Sequence, residues 1–274
     1  MRTGRNRLLT AYALVVYVFL FLPIVILIVF SFNADKRNFN WAGFTLDWYP
    51  TLFRNELILG ALGVTLQVAA IAVVASVALG TLLGLGLARL KQRWRGPMEV
   101  LLLLPMVTPE IVMGISLLLF FGTLFGGQGS FAQISIAHVT FCVSYVAVIV
   151  RARAISLDPH LEEASRDLGA SAWGTFRHIT LPLLAPAVAA GGMIAFALSF
   201  DDLVITSFNA GVGSSTLPLY IYSKIRFGVT PEINAVSTII VAVTAIAILI
   251  AWRLGTFRDE DRAVTEDEAV AKPA

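Results

Sequence analysis

Three carboxylates, Glu110, Asp201 and Asp202, lie within long apolar runs that contain no lysine or arginine. An ionisable group at the centre of a membrane helix costs about 2.5–3.5 kcal/mol on insertion scales, so such groups face protein, water or a counter-charge. With no basic side chain of the chain's own at that depth, the simplest counter-charge is a cationic cargo. The chemistry implied is attraction of a cation along a pathway. Successive residues on a helix point about 100° apart, so Asp201 and Asp202 do not share a direction, but one of them can face a passage. Structural roles compete: either aspartate can cap a broken helix or accept hydrogen bonds from Ser199, Thr206 or a partner subunit, and Glu110 can be a neutral structural acid. Glu110 follows Pro109, with Pro105 a turn earlier and Gly114 just after. Prolines at these positions bend a helix and free backbone carbonyls, a feature tolerated where a segment lines a cavity.

Signals for covalent chemistry are missing. The chain has no G-x-x-x-x-G-K-[ST] phosphate loop, no H-E-x-x-H and no G-x-S-x-G. Its three histidines show no metal-ligand spacing, so no metal site is assigned; His138 is expected to bond a neighbouring helix, and His160 and His178 belong to a polar loop. The one cysteine, Cys142, reads as a small packing residue. A net charge of +2 gives no argument for nucleic acid. The expectation is therefore not an enzyme.

The elements that hold these carboxylates are membrane spans. A composition 57% hydrophobic and 14% charged, with mean hydropathy +0.81, excludes an ordinary soluble domain. Apolar runs near the ~20 residues that cross a hydrocarbon core predict six spans, at 8–32, 60–88, 98–122, 131–150, 186–208 and 235–253. The first is too long for a signal-peptide core and is expected to stay as an anchor. Residues 1–257 then form one transmembrane domain, and the charged tail 258–274 is expected to be disordered. Fifteen Lys and Arg residues fall before span one, after spans two and four, and in the tail; five (Lys36, Arg37, Arg54, Lys224 and Arg226) fall on the other side. The positive-inside rule puts both termini and the 151–182 loop in the cytoplasm. Gly80 and Gly84 in span two, and Gly191 and Gly192 in span five, predict close helix packing.

The 151–182 loop is polar and reads as two short helices. Asp158 suits a cap, Pro159 a first turn, and Glu162 and Glu163 the positive end of a helix dipole. Gly169 is placed to end that helix in a left-handed conformation. Ser171 can cap a second helix through Trp173 and Phe176, with Pro182 expected to stop it. The order Glu163-Ala164-Ser165, then Gly169, then Ile179-Thr180-Leu181-Pro182 resembles the cytoplasmic loop of ABC importer permeases, with Ser165 where Ala is usual. The bland alternative is an amphipathic connector, against which Trp173 and Phe176 on a charged loop suggest a docking surface.

The resemblance extends over most of the chain. Segments 23–33 (PIVILIVFSFN), 41–49 (WAGFTLDWY), 137–148 (AHVTFCVSYVAV), 199–208 (SFDDLVITSF) and 217–235 (LPLYIYSKIRFGVTPEINA) are similar to the permeases of spermidine/putrescine ABC importers. That family implies an all-α membrane protein with six transmembrane helices in the type I importer permease fold, and a coupling-helix loop between helices four and five. It implies a bacterial inner-membrane location, a paralogous permease as heterodimer partner, two ATP-binding subunits and an extracytoplasmic polyamine-binding protein, besides membrane lipid. No cofactor is expected on this chain, ATP and Mg²⁺ belonging to the ATPase. Glu163, Ala164, Ser165, Gly169, Ile179, Leu181 and Pro182 become the ATPase-coupling candidates. Polyamines match spaced carboxylates and aromatic faces. The pathway candidates are Glu110, Asp201, Asp202, Phe200, Phe208 and Tyr222, with Tyr220 a further aromatic. Phe200 stands where Leu is usual in such permeases, which narrows the lumen. The other readings are a related ABC importer for another small cationic or amino-acid-like solute, and an ion-gradient-driven carrier acting alone.

Overall fold

A computed structural model describes residues 2–36, 40–127, 129–226 and 228–253. The tail at 258–274 lies outside the described residues, as does Arg37. The described residues are helical throughout, apart from loops and one isolated antiparallel bridge, Asn33 with Phe44. Four helices are long and apolar enough to cross a membrane: Leu9–Phe30, Glu56–Ala88, Phe131–Ile155 and Ala172–Asp201. A bent pair, Arg93–Val107 with Glu110–Phe125, makes a fifth if it counts as one span, and Pro231–Ile246 is a shorter apolar helix.

The chain forms two compact units. The first holds the residues up to 56 and those from 224, with helices α1 (Arg2–Phe30), α2 (Trp48–Leu52) and, at the end of the chain, the helix Pro231–Arg253. That last helix packs on both α1 and α2. The turn after α1 is held by Asn33, whose side chain donates to Asn40 O at 2.8 Å and accepts from Ala42 N at 2.9 Å. Asn33 O accepts the Trp48 indole N–H at 2.8 Å, so one buried residue satisfies a loop that has no ladder of its own.

Residues 57–223 form the second unit. Its helices are α3 (Glu56–Ala88), α4 (Gln92–Val107), α5 (Glu110–Phe125), α6 (Phe131–Ile155), α7 (His160–Asp167), α8 (Ala172–Thr175), α9 (Leu181–Asp201), α10 (Val204–Asn209) and α11 (Leu217–Ile225); the final helix, Pro231–Arg253, is α12. Helix α6 is central, with 61% of its apolar window buried. Its residues Ala137, Phe141, Cys142, Val146 and Val150 pack with Leu85 of α3, Met113 of α5, Leu184 and Ala195 of α9 and Ile205 of α10. Cys142 is a packing residue, its thiol directed to Ala195 O at 3.5 Å. Close approach of α3 to α6 depends on glycine: a Cβ on Gly80 would sit 2.7 Å from Val146 Cβ, and one on Gly84 2.7 Å from Ala147 O.

Two expected spans are broken helices. The 98–122 run divides at Thr108-Pro109, and the axes of α4 and α5 differ by 102°. Pro109 brings no N–H and forces the preceding residue extended; Thr108 has φ −66° and ψ 130°. Glu110 therefore occupies the first turn of a helix, beside the break. The 186–208 run also differs. Its helix starts further back, continuous from Ala172, and ends at Asp201, with Asp202 extended at φ −61°, ψ 126° and α10 following separately. Asp201 and Asp202 thus lie at a helix end, not a few residues past a span's centre.

Candidate functional site

The Asp202 carboxylate causes the second break. It accepts from Ile205 N at 3.2 Å, Thr206 N at 2.8 Å and the Thr206 hydroxyl at 2.8 Å, so it caps α10 and satisfies donors that a continuous helix would have used itself. Across from it on α6, His138 Nε2 lies 3.3 Å from Asp202 Oδ2 and 3.0 Å from the Thr206 hydroxyl, while Nδ1 lies 2.7 Å from the Ser199 hydroxyl. His138, Asp202, Ser199 and Thr206 are all buried. The expectation that Asp202 has no partner of the chain's own at this depth is corrected, because the His138 imidazole reaches it from a neighbouring helix. A count of lysines and arginines misses that partner.

Asp201 is different. Its side chain is exposed. It opens into a cavity of about 280 Å³ that Glu110, Asp202 and Tyr145 also line. The two helix breaks therefore meet: Glu110 comes from the first turn of α5 and the aspartates from the end of α9. The remaining lining is Pro105, Met106, Thr108, Met113, Phe141 and apolar residues 198 and 203–205, and no lysine, arginine or histidine contributes to it. An apolar vestibule with three carboxyl groups and no basic residue attracts an organic cation and repels an anion.

Of the aromatic candidates, none lines this cavity. Phe200 stacks on Phe196, one turn back on α9, at 5.5 Å between ring centroids. Phe208 packs into the space left by Gly114, where a Cβ would meet its ring at 2.7 Å, and Asn209 beside it donates to Gly114 O at 3.2 Å. Both contacts hold α10 to α5. Tyr222 is exposed on α11. The aromatics that do line the cavity are Phe141 and Tyr145 of α6, a placement that sequence reasoning missed. Its signal was present: His138, Phe141 and Tyr145 fall at i, i+3 and i+7 on one helical face.

The 151–182 segment largely follows the expected plan. Helix α6 runs on to Ile155, and Asp158 Oδ1 accepts from His160 N at 3.0 Å at the start of α7. Gly169 is left-handed at φ +86°, with Gly169 N donating to Arg166 O at 2.8 Å and Ala170 N to Ser165 O at 3.1 Å, the paired bonds of a Schellman ending. Ser171 caps α8 by accepting from Gly174 N at 3.1 Å. Pro182 does not stop this helix, which is a correction. A π-helical turn, Phe176–Thr180, joins α8 to α9 and places Pro182 in the first turn of α9, where a missing N–H costs little. Ile179 and Leu181 are half-buried at that junction, and Ala164 is exposed on α7. Ser165 Oγ lies 3.1 Å from Thr175 Oγ1, joining α7 to α8, a contact that alanine could not make. Leu168 is 90% exposed and Trp173 67%, the latter against Phe176, so the two turns present an apolar face to their surroundings. The Glu163 side chain is 68% exposed, and its Oε2 lies 3.1 Å from His160 Nδ1.

One family model matches residues 76–257 of the chain. The chain belongs to the binding-protein-dependent transport system inner membrane components. Among relatives in this family, the putrescine transport system permease protein PotI of Escherichia coli K12 is 41% identical over 253 residues, covering 90% of each chain. The spermidine/putrescine transport system permease protein PotC of the same strain is 39% identical over 252 residues, covering 92% of this chain and 94% of its own. A PotC homolog of Mycoplasma pneumoniae is 30% identical over 262 residues. Among solved structures, a bacterial alginate ABC transporter bound to its pentasaccharide-loaded periplasmic protein superposes with TM-score 0.69 at 18% identity, over 93% of this chain and 96% of that one. The MetNI methionine ABC transporter superposes with TM-score 0.55 at 17% identity, over 83% and 100%. These structures share the fold of an ABC importer permease, and the inner-membrane family accounts for the apolar helices.

Proposed function

We propose that this chain is one membrane-spanning subunit of an ATP-driven importer of putrescine or spermidine, and forms half of the passage. The observation that carries the cargo class is the vestibule in which Glu110 and Asp201 converge without a basic residue. Relatives at 41% and 39% identity named for putrescine and spermidine transport support the same cargo. In this reading the six spans are α1, α3, the broken pair α4 and α5, α6, α9 and α12. Both termini and the double turn of α7 and α8 are cytoplasmic, as the distribution of basic residues argues.

A paralogous permease completes the passage, two ATPase subunits dock on the cytoplasmic turns, and an extracytoplasmic binding protein delivers cargo. ATP and Mg²⁺ sit in the ATPase, and no nucleic acid takes part. Leu168 and Trp173 supply apolar contact to the ATPase, Glu163 a charged one, and Gly169 the rigid turn between the two short helices. Closure of the ATPase pair on ATP tilts these helices as levers and opens the passage outward; hydrolysis reverses the tilt. A diamine then meets one carboxylate with each ammonium while its methylene chain lies against Met113 and Phe141.

The test uses the complex captured through a tag on this chain and reconstituted with putrescine-loaded binding protein. Labelled putrescine is expected to enter only with ATP, and Glu163→Lys is expected to abolish entry while the chain remains inserted. Accumulation by this chain alone, driven by an ion gradient, overturns the proposal.

A further inference from the structure

Helix α7 raises a mechanical problem. It contains no buried residue, so apolar packing does not fix it to the rest of its unit. A lever without a packed face transmits displacement only through its chain connections and through specific polar contacts. Among those contacts, one carboxylate reaches furthest. Glu162 forms an ion pair with Arg89 just beyond the cytoplasmic end of α3 and accepts the Thr180 hydroxyl at 2.7 Å, one residue before α9 begins. Arg166, one turn along α7, lies 3.7 Å from its other oxygen. Thr180 is buried, and only about a quarter of the Glu162 side chain is exposed. Glu163, the neighbouring residue, is 68% exposed and pairs with His160 instead.

We propose that Glu162 is the positioning residue that conveys movement of α7 into α3 and α9, through Arg89 and Thr180 respectively. The adjacent glutamates divide the labour: Glu163 faces outward to a partner, and Glu162 faces inward to the spans. The assignment rests on the reading of α7 as an ATPase-driven lever. Both Glu162 contacts lie within one unit, at the two points where spans emerge beside the lever, and Arg89 and Thr180 also line the same cavity of about 390 Å³. That space beside the junction lets α7 swing away when the carboxylate is lost, so removal disconnects the lever and leaves the spans folded.

The experiment measures putrescine uptake and ATP hydrolysis in parallel on the tagged complex in proteoliposomes, with putrescine-loaded binding protein. Glu162→Ala is expected to capture the ATPase normally and to hydrolyse ATP, while cargo moved per ATP falls roughly fivefold or more, the low end of coupling between sites. Thr180→Val, which removes one arm of the junction, is expected to show a smaller fall in the same ratio. The double exchange Glu162→Arg with Arg89→Glu is expected to recover most of it, a recovery that a purely structural role for either residue does not produce. An unchanged ratio in Glu162→Ala, loss of ATPase capture in that variant, or failure of the exchange to recover coupling in an assembled complex each overturns the assignment. The lever reading fails separately: Glu163→Lys would then capture and drive the ATPase as the parent chain does.

Discussion

His138 Nε2 on α6 lies 3.3 Å from Asp202 Oδ2 at the end of α9, with both side chains buried. This contact separates two neighbouring aspartates into different roles. Asp202 is a structural group that ends one helix and starts the next; Asp201 is open to the vestibule. Replacing Asp202 with alanine strands Ile205 N and Thr206 N and takes the acceptor from the Thr206 hydroxyl. A loss of about 1–3 kcal/mol follows from the unsatisfied donors. The expected outcome is a lower thermal unfolding midpoint of the detergent-solubilised complex for Asp202→Ala, and no change for Asp201→Asn.

Neutralising the vestibule gives the opposite pattern. Asp201→Asn and Glu110→Gln keep shape and remove charge, and neither group caps a helix by its side chain. A carboxylate–ammonium contact at 4 Å carries about 4 kcal/mol at an effective dielectric near 20 before desolvation is subtracted. Each variant is expected to lower putrescine uptake at limiting concentration by roughly tenfold, one decade being about 1.4 kcal/mol. Since both residues line one cavity, the double variant is expected to depart from the product of the singles. Initial uptake rates against putrescine concentration check this, with complex yield as the control.

How far the sequence reveals this arrangement depends on whether a feature is local. The left-handed Gly169, the Asp158 and Ser171 caps and the glycine spacing at Gly80 and Gly84 are dictated within a few residues, and residue type and spacing read them correctly. The break at Pro109 is local as well. The cap that Asp202 forms with Ile205 N and Thr206 N is local too and stands among the sequence alternatives, whereas hydropathy runs straight through 186–208 and His138 reaches Asp202 from another helix. The aromatic lining is not local either: Phe200 and Phe208 lie close in sequence to Asp201 but outside the cavity, whereas Phe141 and Tyr145 reach it from α6. For Glu162 the sequence shows only a place at the positive end of a helix dipole, and the fold alone brings Arg89 and Thr180 to it.

The contact of α3 with α6 gives a paired test of packing. A Cβ at Gly84 would meet Ala147 O at 2.7 Å and Arg151 N at 3.0 Å, both backbone atoms that cannot rotate away. At Gly86, two residues on, a Cβ meets nothing within 4 Å. Gly84→Ala is expected to destabilise by about 1–3 kcal/mol through overpacking. Gly86→Ala is expected to be neutral or to gain up to about 1 kcal/mol of helix propensity. The two melting shifts, measured on the same complex, are expected to have opposite signs or to differ by the full overpacking cost.

Gly169 tests the turn between the two short helices without disturbing any packing. Nothing lies within 4 Å of a Cβ built there, so any penalty comes from the backbone at φ +86°. A side chain in this left-handed region costs about 1–2 kcal/mol, more for β-branched residues and less for asparagine. Gly169→Val must either bear that cost or release the Schellman pair, whose bonds from Gly169 N to Arg166 O and from Ala170 N to Ser165 O set the angle between α7 and α8. Since Leu168 lies on one side of this turn and Trp173 on the other, a changed angle separates the two exposed apolar contacts of the docking face. ATPase capture is therefore expected to fall in the order Gly169, Asn, Ala, Val, read as the ratio of ATPase to this chain after affinity purification. A flat series would mean that the turn does not present the docking face, because no other contact at this position distinguishes these four residues.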